Sequence, residues 1–179
     1  MSLPMKYEEL SERLLEIRSW AGEISEGNRC ALVLGATLRI RPREQDLTFR
    51  GLTAAKPNVR TMPFLERFFV KAQDLANAIS GTHGPPDLRF SGASLLAFIK
   101  KNPGTTPIDG KRGVLFSQDS FKTKKQQALS KLGFEVDQTG DHIDLWDGNC
   151  SEIFKNDGRN AFVSSLMIDA EMNLFWRAS

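Results

Sequence analysis

The 179-residue chain has little cysteine and little histidine. Two cysteines, Cys30 and Cys150, are too few for a disulfide framework. They leave room for one bond between them or for one working thiol. Two histidines, His83 and His142, confine imidazole chemistry to two positions. Charge of one sign is also lacking, because 24 Lys and Arg against 22 Asp and Glu leave a formal net charge of +2. There is no basic arm, and the densest basic stretch, Lys122 to Lys125, reads as a solvated face, so nucleic acid is not an expected partner. No apolar run reaches the roughly 20 residues that a membrane-spanning helix needs. The opening MSLPMKYEEL lacks a charged stretch followed by an apolar one, so no secretory signal is expected. A protein made this way in the cytoplasm and acting elsewhere needs a carrier other than the general export route.

What is present is an ordinary globular composition, 40% hydrophobic and 26% charged. The length suits a single domain over residues 1–179 with a real core. Residues 7–20 predict a helix, with Leu10, Leu14, Ile17 and Trp20 on one face. The segment NRCALVLGATLRI predicts a buried helix with Asn28 as its N-cap and Cys30 in its first turn. Residues 41–60 read as loop. A helix is predicted from Pro63 to Ile79, stopped by Gly81, and another from Ser91 to Lys101, closed by Pro103 and Gly104. His83, in GTHGPP, reads as a loop residue.

The second half predicts strands. These are GVLFS at 113–117, FEVDQ and HIDLW joined as a hairpin through Thr139 to Asp141, and the tail EMNLFWRA, with a short polar helix at 120–132. Helices first and strands later point to an α+β fold, with the helices packed on one side of a mostly antiparallel sheet.

By itself Cys30 reads as a small buried hydrophobe. At a helix start, however, aligned peptide dipoles and free amides favour a thiolate and can hold an oxyanion. Arg29 adds a positive charge beside it. Alternation along HIDLWDG puts His142, Asp144 and Trp146 on one face and Ile143 and Leu145 on the other. The apolar pair is expected to face the core, and the polar face to look into an opening with Trp146 as a wall. Together Cys30 and His142 form a nucleophile and base: the imidazole takes the thiol proton, the thiolate attacks an amide carbonyl, and the imidazolium protonates the leaving amine. Asp144, Asp147 and Glu152 are candidates to hold the imidazole. Asp144 shares its face but lies about 7 Å along the strand, so Glu152, beyond the strand's end, is preferred.

These segments resemble the amidase effectors of type VI secretion systems, specifically their fourth family. Asn28-Arg29-Cys30-Ala31-Leu32 looks like the family's nucleophile motif. Gly140 to Gly148 looks like its histidine strand, in which glycine, histidine, valine or isoleucine, any residue, leucine, tryptophan, aspartate or asparagine, and glycine follow in order. Asn173-Leu174-Phe175-Trp176 is similar to its closing aromatic strand, and RFSGASLLAFIKK followed by GKRGVLFS keeps its helix-then-strand order. Asp141 departs from the pattern by standing between the glycine and the histidine. Only Cys150 is present where the family often has a cysteine pair, so that local disulfide cannot form, and Glu152 stands near the place of the family's third catalytic residue. The resemblance implies a papain-like cysteine amidase without cofactor or metal, cutting the D-glutamate–diaminopimelate amide of peptidoglycan stem peptides. It also implies an antibacterial toxin delivered by the type VI apparatus to the periplasm of a target cell, with a cognate immunity protein as partner.

Other readings remain open. A zinc site from Cys30, Cys150, His83 and His142 has no pair at short ligand spacing. A Cys30–Cys150 disulfide would block the nucleophile. A non-catalytic interaction domain, such as an immunity or secretion-associated binding protein, would tolerate loss of Cys30.

Overall fold

Leu10, Leu14 and Ile17 lie on one face of helix α1 (Tyr7–Ala21), as their spacing predicts, and all three are buried. Removing such a side chain from water contributes about 1.5–3 kcal/mol. The computed structural model describes residues 3–21, 29–40, 69, 71–121, 126, 129, 131–133, 140–149 and 166–179. Helix α2 (Arg29–Thr37) follows, then α3 (Ala72–His83), strand β1 (Leu88–Phe90), α4 (Gly92–Lys101), β2 (Gly113–Phe121), β3 (Gly140–Trp146) and β4 (Met172–Arg177). None of these helices is long and apolar enough to cross a membrane.

Cys30 to Leu34 are all buried, because α2 is apolar around its whole circumference and is enclosed by its neighbours. Its last turn is tied to α1 by Arg13, whose Nη1 donates to the Thr37 carbonyl at 2.9 Å. Helix α3 departs from expectation at both ends. It starts at Ala72, after the non-helical Phe69 and Lys71, while 63–68 lie outside the described residues, and it runs through Gly81 to His83. Gly84, at φ 92°, provides the left-handed exit and donates to the Ser80 carbonyl. Among the described residues nothing lies within 4 Å of the Cβ position at Gly81, so the helix passes it without crowding. His83 is therefore the last helical residue, not a loop residue. Helix α4 follows the reading closely: the Ser91 hydroxyl accepts from the Ser94 amide at 3.1 Å and caps its start.

The sheet has the order β1-β4-β2-β3, with each pairing antiparallel. Strand β2 extends to Phe121, past the five residues read as strand, so a helix cannot begin at Ser120. The described positions Gln126, Leu129 and Lys131 are helical. FEVDQ, and with it the predicted hairpin, lies outside the described residues, as do Asn28 and 41–60. The strand that pairs with β3 is β2, in register Phe116↔Ile143 and Ser117↔His142. Asp141, the residue that departs from the motif, accepts the Asp119 amide at 3.0 Å. That bond closes an irregularity between Ser117 and Phe121, where Asp119 takes a positive φ of 48°.

Each face of the sheet has its own core. Val114, Phe116, Ile143, Leu145, Leu174 and Trp176 pack against α1, α2 and α3. Leu115, Trp146 and Phe175 pack on the other face against Leu95 of α4, Ile108 and Met167. Helices thus cover both faces, because α4 crosses to the far side between β1 and β2. Gly113 is where β2 meets β3 and β4. A Cβ there would stand 2.0 Å from the Trp176 carbonyl oxygen. Gly113→Ala is expected to cost about 3 kcal/mol, the upper end for overpacking, since the clash is with backbone. A thermal melt measures it.

Candidate active site

Among the described residues strand β3 stands at the edge of the sheet, and its backbone meets the start of α2. The Ile143 amide donates to the sulfur of Cys30, and the amides of Cys30 and Ala31 also act on it. Cys30 thus sits in the first turn of its helix with the histidine strand against it. His142 and Asp144 flank the Ile143 amide in sequence and share the strand face opposite Ile143. The fold brings Cys30 and the His142–Asp144 stretch together from distant parts of the chain.

The polar face does not look into an opening among the described residues. His142 is 8% exposed, Asp144 1% and Trp146 2%. Trp146 packs in the second core and donates to the Ile108 carbonyl at 3.3 Å. This enclosure overturns the expected thiolate. Burial pushes the Cys30 thiol up to about 12, outweighing the amides that favour the anion, and the Asp144 carboxylate adds to the rise. Burial also lowers His142 to about 4. The resting pair is therefore a neutral thiol and a neutral imidazole. Because Asp144 opposes thiolate formation, Asp144→Asn is expected to speed alkylation of Cys30 by iodoacetamide several-fold at pH 8. Peptide mapping by mass spectrometry distinguishes Cys30 from Cys150.

Asp144 accepts the amide of Leu145 through Oδ1 at 2.7 Å. Asp147 accepts the Asn149 amide at 2.8 Å and so shapes the turn after β3. Glu152 and Cys150 lie outside the described residues. His83 is at the end of α3, where burial lowers its pKa. No group of three or more His, Cys, Asp or Glu side chains among the described residues could hold a metal ion. A cleft of about 610 Å³ lined by Lys6, Tyr7, Lys111, Arg112, Arg177 and Ser179 has neither cysteine nor histidine in its lining.

Sequence reasoning missed a buried polar row beside His142. Ser117, opposite His142 on β2, donates from Oγ to Asn173 Oδ1 at 2.7 Å. Asn173, on β4, donates from Nδ2 to the Met167 carbonyl at 2.9 Å. Both are buried, at 2% and 0% exposure. The available signal was a polar residue at an inward position in each of two apolar strands.

Among known proteins this chain has its likenesses in structure rather than in sequence. No protein-family model matches it, and no curated protein sequence does. Solved structures do. A structure of the Tae4–Tai4 effector–immunity complex from Enterobacter cloacae is similar over 99% of this chain and 100% of its own, with a TM-score of 0.54 at 14% identity. The fold is that of the Tae4 effectors. A selenomethionine Tae4/Tai4 structure from Salmonella typhimurium gives 0.54 at 13% identity, again over 99% and 100%. Tae4 from Salmonella typhimurium with Tai4 from Enterobacter cloacae gives 0.50 at 14%, over 98% and 99%. The α+β architecture is thus shared along essentially the whole chain with Tae4.

Proposed function

We propose that this protein is a papain-like cysteine amidase that cleaves an amide of peptidoglycan stem peptides, the D-glutamate–diaminopimelate bond, as an antibacterial type VI secretion effector. The observation that carries this reading is Cys30 in the first turn of α2 with the Ile143 amide on its sulfur, one residue from His142. The end-to-end likeness to effectors solved with their immunity protein Tai4 supports the biological setting. On that setting a cognate immunity protein is the partner. The type VI apparatus carries the protein to the periplasm of the target cell.

In the proposed reaction, substrate binding brings the scissile carbonyl to Cys30. His142 removes the thiol proton as sulfur attacks the carbonyl carbon. The amides of Cys30, Ala31 and Ile143, which already act on the sulfur, offer donors to the developing negative charge. The imidazolium then gives its proton to the departing amine, leaving a thioester that water hydrolyses. Starting from a neutral pair suits this order, because charge separates only once the substrate has displaced water. Glu152 is proposed to hold the imidazole. Asp147 is engaged in the turn with Asn149, and Asp144 opposes the thiolate.

Purified protein incubated with peptidoglycan fragments is expected to release new amino groups over time, measured by an amine-reactive dye. Binding to the fragments without release would favour a non-catalytic interaction domain instead.

A further inference from the structure

Lys6, Lys111, Arg112 and Arg177 meet in the cleft of about 610 Å³. The whole chain carries a net charge of only +2, so a concavity holding these four cations is a local concentration of charge. Two of the four are fixed. Arg112 donates from Nη1 to Glu8 Oε1 at 2.6 Å and lies over the Tyr7 ring, 5.3 Å from its centre. That leaves further N–H groups of a held guanidinium for a carboxylate. Lys111 donates from Nζ to the Pro107 carbonyl at 2.7 Å. Lys6 and Arg177 are exposed. Facing the cations are Glu8, the Ser179 main-chain oxygen that takes the Tyr7 amide, and Asp87, which accepts the Arg177 amide. Positive charge still prevails. The cleft also stands apart from Cys30. The thiol is level with Ile143, whereas Gly113 pairs with Trp146 and Arg177, three residues further along β3 and roughly 10 Å away.

We infer that this cleft is a second docking site for peptidoglycan, taking the free carboxylates of a stem peptide other than the one at Cys30. The choice of ligand rests on the amidase reading. Glutamate and diaminopimelate are diacids, and the peptide chain uses one carboxyl of each, leaving the other free. The cleft volume falls in the range of about 300–1,000 Å³ that small ligands fill, so a protruding acidic group suits it better than a flat surface does. A sacculus presents many such peptides on one polymer. Holding one in the cleft raises the effective concentration of its neighbours at Cys30 without a new contact there.

The test separates binding from cleavage. The full chain carrying Cys30→Ala is sedimented with insoluble sacculi at increasing NaCl, and the bound fraction should fall as salt rises. Adding Lys6→Glu with Arg177→Gln, both exposed positions, should weaken binding by about ten-fold at about 50 mM NaCl. Lys100→Glu with Lys101→Gln makes the same change of net charge at the end of α4 and should leave binding within about two-fold. With Cys30 intact, the cleft pair should slow hydrolysis of sacculi yet leave hydrolysis of a soluble disaccharide–tetrapeptide within about two-fold. No binding to sacculi, binding indifferent to the cleft pair, or an equal drop with the α4 pair would overturn the inference. So would an equal loss on the soluble fragment, which would make the cleft part of the active site. The two readings fail separately. Sedimentation lost in the cleft pair with no amine released by the wild type sinks the amidase alone, and amine release with unaltered sedimentation sinks the cleft alone.

Discussion

Cys30→Ala should reduce amide hydrolysis by at least about a thousand-fold, because the proposed nucleophile is gone and only transition-state binding remains. The fold should survive. Cys30 is one small side chain in a large cluster shared with Leu34, Leu75, Ile79, Phe116 and Ile143. Truncating it to alanine removes a sulfur from a well-packed site, a cost of about 1 kcal/mol that a thermal melt will register. Cys30→Ser separates nucleophile from filler. It restores the volume, but a buried hydroxyl is harder to ionise than a thiol, so activity should stay near the alanine level. In the wild type, rapid acid quenching during turnover should trap a protein species heavier by the acyl fragment. Recovery of substantial activity in Cys30→Ala would remove the nucleophile from the mechanism.

His142 gives the second large effect, on stability against pH. Its folded pKa is lowered from 6.5 to about 4 by burial. Between these values the unfolded chain binds a proton that the native state refuses. The contribution is therefore complete above pH 6.5 and is lost as pH falls toward 4. The full loss is about 3 kcal/mol, from a shift of about 2.5 at 1.36 kcal/mol per unit. Asp141 acts in the opposite sense. Burial raises its carboxyl, with Asp119 and Asp74 adding to the rise despite the Asp119 amide. Its native state thus holds a proton longer, which offsets part of the loss in acid. Comparing wild type with His142→Gln isolates the histidine, since Asp141 is common to both. Urea midpoints of the two proteins should converge between pH 7 and pH 4.5. Parallel lines would show that His142 is not buried as a neutral ring.

The elements legible in the sequence were those with strong periodicity or strong punctuation. The stripe Leu10-Leu14-Ile17 and the cap at Ser91 gave α1 and α4 nearly to the residue. Alternation in HIDLW placed Ile143 and Leu145 in the core correctly. It could not show that the other face was also covered, because the core on that face is completed by Leu95 of α4, Ile108 and Met167, which arrive from elsewhere in the chain. The same tertiary fact reversed the expected thiolate. A helix start is a local property and burial is not, and burial had the larger effect on Cys30. Strand β1 was missed because three residues, Leu88 to Phe90, carry too little pattern and gain their strand character from pairing with β4. The start of α3 was misplaced for a related reason. Phe64 and Phe68 extend the apolar spacing upstream of the helix, but Phe69 and Lys71 are not helical and Ala72 begins the element.

The central claim is that Cys30 and His142 together hydrolyse a stem-peptide amide. Its most direct test is mass spectrometry of a defined disaccharide–tetrapeptide after incubation with wild type, Cys30→Ala and His142→Ala, all shown to be folded. The expected result is two products from the wild type alone, one with a new carboxylate at D-glutamate and one with a new amine at diaminopimelate. An intact substrate with the wild type, or the same products from either variant at a comparable rate, would contradict it.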